Sequence, residues 1–291
     1  MSLPNPMGEA IPRAASGHNV VTDLGPRSLL TDRDLTRYAR HIVLPGFGQE
    51  AQRRLQDSRV LVVGAGGLGS PVLLYLSAAG VGHLTILDDD VVDESNLQRQ
   101  VIHRQADVGR PKALSAKDAV QRLNPYLVAE AVVARLGTDN ALDLVKDHDL
   151  ILDCTDNFTT RYLASDAAEI TGTPLVWGTI LQYQGQLSVF WPGHGPMLRD
   201  LFPEVPAGDS VPSAAAGGTF GPVVGQVGSM MAAEAVKVLT GIGTPAVGKL
   251  IVIDALGVGT RTLSFTPDPD RASVTQLPAA ESPTATSGTD L

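Results

Sequence analysis

The sequence predicts an α/β fold: a Rossmann-like, mostly parallel twisted sheet with antiparallel C-terminal strands and helices on both faces. Three observations carry this. Four apolar residues, Val60 to Val63, run straight into Gly64-x-Gly66-x-x-Gly69. Val72, Leu73, Leu76 and Ala79 then recur at helical spacing up to Gly80. A second apolar run, Leu84 to Leu87, ends on Asp88. Together they make a strand, a glycine turn, a helix and a second strand, with a carboxylate about 20 residues past the last glycine. Gly64 and Gly66 take backbone angles and approach distances that a Cβ forbids, and Gly69 lets the helix lie close on the sheet. Unpaired N–H groups at the helix start attract phosphate, and Asp88 is placed to accept from ribose hydroxyls. The pattern by itself fits NAD or FAD as well as ATP.

A chain of 291 residues holds one large α/β domain or two small ones. Its net charge of −9, with no block of Lys or Arg, argues against nucleic acid or an anionic membrane as the main partner. No apolar run is long enough to span a bilayer, and the N-terminus lacks a signal-peptide layout, so the cytoplasm is the expected location. The single cysteine, Cys154, excludes internal disulfides and any Cys-x-x-Cys site. Set inside an apolar strand, it reads as core and not as nucleophile.

Residues 1–30 are Pro-, Gly-, Ser- and Ala-rich without periodicity and read as a disordered extension. Thr31 then caps a helix with Asp32 and Asp34 in its first turn and Leu35, Tyr38, Ile42 and Val43 as its apolar stripe. Arg37 and Arg40 share one side of it, and spacing alone makes them a solvated face. A short second helix covers 48–57. Beyond Asp88, the polar stretch Ser95-Asn-Leu-Gln-Arg-Gln100 reads as a loop. Pro111 opens a helix to about Leu123, which pins Lys112 beside the helix's positive pole. A cation there makes sense if an anion lies between the two, a first hint of polyphosphate.

A third strand spans 128–134, Thr138 caps a helix to about Lys146, and a fourth strand runs from Asp149 to Cys154. Asp156 and Asn157 follow it, on the strand-end rim shared by the glycine turn and Asp88. Asp156 there can hold Mg²⁺ beside phosphates or simply cap the next helix, near Phe158. Leu175 to Thr179 is a fifth strand, and Gly185 to Phe190 alternates like an antiparallel strand with one covered face. Residues 192–222 form a lid or binding loop. Val223 to Leu239 makes a long, nearly uncharged helix, expected to be buried in part against another subunit. Leu250 to Asp254 and Thr260 to Phe265 close the fold, and 266–291 reads as a disordered tail.

Eight phrases in this order resemble one family, the ThiF/MoeB-type adenylyltransferases of sulfur-carrier proteins, related to ubiquitin-activating enzymes. They are Arg37-Tyr-Ala-Arg-His41, Arg59 to Gly69, Leu87-Asp-Asp-Asp90, Ser95 to Gln100, Gly109-Arg-Pro-Lys112, Leu152-Asp-Cys-Thr-Asp-Asn157, Gly185 to Phe190 and Gly221 to Thr240. The resemblance makes 31–265 the adenylation domain and implies ATP with Mg²⁺. Asp88 then takes the ribose, and Gly67 carries the phosphates with Asn96, Arg99 and Lys112. Asp156 takes the metal, and Arg40 reaches the neighbouring subunit's ATP across a homodimer. Gly64, Gly66, Asp90, Ser95, Leu97, Gln98 and Asn157 complete the expected nucleotide site. The implied reaction joins a small ubiquitin-like carrier's C-terminal glycine, at the end of a Gly-Gly tail, to AMP and releases pyrophosphate.

The departures are equally informative. Many relatives hold zinc on two Cys-x-x-Cys pairs; here Met197-Leu-Arg-Asp200 replaces the first, and no second occurs near Asp268 to Ser273. No zinc is therefore expected. Many also place a loop cysteine where this chain has Ala214, which rules out a thioester or persulfide there. Sulfur must then come from a separate sulfurtransferase or cysteine desulfurase. Two other readings are a non-catalytic carrier-binding relative and an NAD(P)- or FAD-dependent oxidoreductase. The missing thiol favours the first. Arg40, Arg99 and Lys112, which have no work with a dinucleotide, oppose the second.

Overall fold

The computed structural model describes residues 29–206, 217–257 and 259–278. An eight-stranded sheet forms the centre: β1 (Arg59–Val63), β2 (His83–Leu87), β3 (Val128–Val132), β4 (Leu150–Asp153), β5 (Leu175–Leu181), β6 (Gln184–Phe190), β7 (Lys249–Asp254) and β8 (Gly259–Ser264). Its order is β3-β2-β1-β4-β5-β6-β7-β8, parallel as far as β5 and antiparallel beyond. The helices are α1 (Asp32–Arg37), α2 (Ala39–Ile42), α3 (Gly48–Asp57), α4 (Gly69–Ala79), α5 (Lys112–Leu123), α6 (Ala141–Lys146), α7 (Phe158–Thr171), α8 (Leu198–Leu201) and α9 (Gly221–Thr240).

Strand alternation sends residues to two separate cores. Val60, Val62, Leu150, Leu152, Leu187 and Val189 meet α3, α4, α5 and α9 on one face. Leu61, Val63, Ile151, Leu175, Trp177 and Phe190 meet α6, α7 and α8 on the other. Double coverage is why these strands read as continuous apolar runs. It also corrects the expectation for β6, whose Leu187 to Phe190 are buried on both faces.

The long helix α9 buries most of its apolar residues within its own chain. A Cβ on Gly228 of α9 would stand 2.3 Å from Pro71 of α4, and one on Gly178 of β5 2.4 Å from the Met231 sulfur. Small residues here let α9 lie directly against α4 and the sheet. Near the N-terminus the Thr31 capping box forms as expected. The helix breaks at Tyr38, however, and of its apolar stripe only Tyr38 is fully buried. Likewise α6 starts at Ala141 and not after Thr138: the Asn140 side chain takes the Gly137 N–H and sets the turn.

The expected domain end at 265 falls short, because the chain remains packed through 278. Arg271 donates to Asp200 from Nε at 2.7 Å and to both Glu169 oxygens at 3.1 Å, and Leu277 lies against the α7 core. Burial pushes the Asp200 carboxyl up, but the Arg271 fork and the Met197 and Asp268 N–H groups outweigh it and leave its pKa lowered. A lowered folded-state pKa contributes stability above the ordinary aspartate value of about 4, lost as pH falls through the folded value. Acidification below about pH 4 should therefore release 266–278 before the sheet melts. Arg271→Ala should weaken hydrogen-exchange protection there by about 2 kcal/mol at neutral pH. The tail beyond 278 and the extension before 29 lie outside the described residues.

Candidate active site

The parallel order reverses between β1 and β4, where a cleft of about 740 Å³ opens above the strands' carboxyl ends. Gly64 leaves β1 at φ 95°, and a Cβ on it would meet the Cys154 carbonyl oxygen at 3.0 Å. A Cβ on Gly69 would lie 2.1 Å from the Gly64 oxygen, so only glycine lets α4 begin against the turn. No side chain caps α4; its Ser70 N–H bonds the Gly66 carbonyl at 3.0 Å and Pro71 has none, which leaves the Gly69 N–H for an anion. Gly64, Gly66 and Gly67 all line the cleft.

Asp88 stands at the end of β2. Its Oδ2 accepts the Ala65 N–H at 2.8 Å and its Oδ1 the Asp90 N–H at 2.9 Å. Burial pushes its carboxyl above the ordinary value, against the pull of those two N–H groups and Lys112. Each oxygen keeps acceptor capacity for a ribose hydroxyl. Across the same wall, the Lys112 ammonium donates to Asp90 Oδ2 at 2.8 Å. The lysine side chain is 8% exposed and the Asp90 side chain 72%, so Lys112 is held in place and Asp90 faces solvent. The anion sought beside the helix pole is thus already present as Asp90. Asp90 positions Lys112, whose ammonium retains two further N–H donors.

Asp156 and Asn157 both border the cleft, and the helix cap that the sequence offered to Asp156 falls to Asn157. Asn157 caps α7, its side chain accepting the Thr160 N–H at 2.9 Å. Asp156 is exposed, and no hydrogen bond occupies its carboxylate among the described residues. Arg99 also borders the cleft, held from behind by its bond to the Ser95 carbonyl. Ser95, Asn96, Leu97 and Gln98 lie outside the cleft wall. Ser95 and Asn96 instead close a short turn with Asp93, the Ser95 N–H donating to its carboxylate at 2.8 Å. Arg40 is exposed and borders no part of its own chain's cleft. Its neighbour Arg37 differs: it donates to the Leu123 carbonyl. Cys154 is core, and burial drives its thiol well above the usual range. Ala214 lies outside the described residues.

Three features went unread in the sequence. Gln100 places its amide 3.4 Å from where a Gly66 Cβ would stand, at the cleft wall. Asp153, fully buried, accepts the Thr155 N–H at 2.9 Å and its hydroxyl at 2.6 Å. Arg161 donates to the Thr155 carbonyl at 2.9 Å. The residue before Asp156 is thereby clamped on three atoms. The available signal was a carboxylate ending an otherwise apolar strand.

Residues 38–273 match the ThiF family. The "Probable adenylyltransferase/sulfurtransferase MoeZ" of Mycobacterium tuberculosis is 52% identical over 256 residues, which is 87% of this chain and 65% of that protein. The sulfur carrier protein adenylyltransferase of Thermus thermophilus is 49% identical over 244 residues, 82% of this chain and 90% of that protein. Among solved structures, E. coli MccB with AMPCPP and MccA superposes with a TM-score of 0.74 at 18% identity, over 85% of this chain and 75% of MccB, which shows the shared fold. The chain spans just under two thirds of MoeZ. On the family match and these identities, the chain belongs to the ThiF family.

Proposed function

We propose that this chain is an ATP-dependent adenylyltransferase acting on the C-terminal glycine of a small ubiquitin-like sulfur carrier. The single observation that supports it most is the placement of Arg99 and Lys112 beside the glycine turn, across one cleft from the unengaged Asp156 carboxylate. A carboxylate and a triphosphate repel each other, and negative charge grows on phosphate oxygens in transit. Fixed cations offset both by positioning and electrostatics. In this reading Asp88 takes the ribose, and the Gly64–Gly67 turn, Arg99 and the two remaining Lys112 N–H groups take the phosphates. The carrier's glycine carboxylate attacks the α-phosphorus, the bond to the β-phosphate bridging oxygen breaks, and pyrophosphate leaves. No general base is needed, since the attacking carboxylate is ionised near neutral pH.

The donor set also fits Mg²⁺, which uses one or two carboxylates plus substrate phosphates. Asp156 would hold it, and the ion would neutralise phosphate charge. Arg40, turned away from its own cleft, serves the neighbouring site in a homodimer. Ala214 carries no thiol, so sulfur reaches the adenylate from a separate sulfurtransferase or cysteine desulfurase. The relatives' names, an adenylyltransferase/sulfurtransferase and a sulfur carrier protein adenylyltransferase, support the same reading. No described helix is long and apolar enough to cross a membrane.

The test is pyrophosphate exchange into ATP with Mg²⁺ and a panel of carriers ending in Gly-Gly. Exchange should appear with at least one carrier and vanish when its last glycine is removed. Carrier binding without exchange across the whole panel would overturn catalysis in favour of a binding role.

A further inference from the structure

Beneath the cleft floor lies a buried imidazole that the reaction above does not use. His103 is 6% exposed, and both ring nitrogens are engaged: Nε2 lies 2.9 Å from the Ala65 carbonyl oxygen and Nδ1 2.9 Å from the Ser115 hydroxyl. A carbonyl only accepts, so Nε2 carries the hydrogen, and Nδ1 faces Ser115, whose single hydroxyl proton is shared between Nδ1 and the Asp107 carboxylate. Burial, with Lys112 adding to it, pushes the ring's pKa down against the Ala65 bond, which keeps the ring neutral near pH 7.

These partners belong to the two halves of the phosphate wall. Ala65 sits inside the glycine turn, and its N–H is already fixed by Asp88. Ser115 lies one turn along α5 from Lys112 and is itself buried. The bonds form a closed circuit. Ala65 N–H and Asp90 N–H both reach Asp88, and Lys112 N–H reaches the Asp90 carbonyl at 2.8 Å. One turn on, Ser115 meets His103, and His103 returns to Ala65. Asp88, Asp90 and Lys112 line the cleft, whereas Ala65 and Ser115 are buried, and His103 closes the ring between them from within the core.

We infer that His103 is a positioning residue for adenylation, fixing the separation between the glycine turn and the Lys112 ammonium through its paired bonds to Ala65 and Ser115. The inference rests on the adenylyltransferase reading. Without the Nε2 donor, the Ala65 carbonyl is left buried and unpaired, and the Ala65–Gly66 peptide is free to rotate. Binding of the nucleotide as a whole, anchored at Asp88 and along the turn, changes little. What suffers is alignment in the transition state, where a misplacement near 1 Å costs about a hundredfold.

Three variants test this: His103→Asn, which reproduces only the Nδ1 position; His103→Gln, which returns an amide N–H near Nε2; and Ser115→Ala. Each is read by exchange kcat, by calorimetric ATP affinity and by circular dichroism. The expected result is that His103→Asn loses about 10- to 100-fold in kcat while ATP affinity stays within about threefold. His103→Gln should recover most of that loss, and Ser115→Ala should fall between. Equal kcat in the Asn and Gln variants overturns the inference, as does a kcat loss matched by an equal loss of ATP affinity or of helicity. If the wild-type protein shows no exchange with any carrier, it is the adenylyltransferase reading that fails.

Discussion

Asp156→Ala is expected to lower pyrophosphate exchange by about a thousandfold while leaving the melting temperature unchanged. The first half follows from charge: if Asp156 holds the metal as proposed, pyrophosphate in its absence must leave with its charge less well neutralised. The second half follows from the division of labour at the start of α7. A helix cap lost to alanine costs about 1 kcal/mol, but here the cap is Asn157, bonded to the Thr160 N–H. The loop's shape is set by Asp153 and Arg161 acting on Thr155. Asp156 makes no hydrogen bond in either, although its charge is felt by Asp153 and Arg161. Asn157→Ala should therefore show the inverse pattern, a lower melting temperature with most activity kept. Loss of helicity in the Asp156 variant would reassign that residue to a structural role.

How far the sequence revealed this arrangement depends on the range of the forces involved. The glycine turn, both flanking strands and Asp88 were legible because each rests on local constraints: strand, turn and helix follow one another in the chain, and the acid ends the next strand. Lys112 was read correctly as a fixed cation, but its partner Asp90 lies 22 residues away and meets it through the antiparallel Val91–Pro111 bridge outside the sheet. His103 and Arg161 were invisible because an isolated polar residue in a loop or helix carries no sign of what it will face. Ser95 to Gln98 were expected from the family resemblance to contact the nucleotide; Ser95 and Asn96 bond within their own turn with Asp93, and none of the four lines the cleft. The packing of α9 on α4 was not legible, because a run of small apolar residues looks alike whether it packs on its own chain or on another molecule. The tail was cut short because one arginine, Arg271, joining Asp200 and Glu169 about 70 and 100 residues upstream, leaves no local pattern.

Arg40→Ala and Asp156→Ala, each inactive alone, should recover about one quarter of wild-type exchange when mixed in equal amounts and allowed to exchange subunits. Random pairing makes about half of the dimers mixed, and each mixed dimer has one site with its own Asp156 and an intact Arg40 from its partner. The other site lacks both. The expectation comes from where Arg40 is not: it follows Arg37 by three residues on the same side, yet Arg37 is tied to Leu123 while Arg40 stands exposed and away from its own cleft. A guanidinium that served its own subunit's phosphates would have to border that cleft, as Arg99 does. Val43 and Leu44, just beyond it, are 72% and 50% exposed, an apolar flank next to a cation. If subunit exchange is demonstrated by mass and activity stays absent, Arg40 acts within its own chain and the shared-site proposal fails. Salt sharpens the test: between partners held at a packed interface, the rescue should persist at ionic strengths that screen exposed charges beyond about 8 Å.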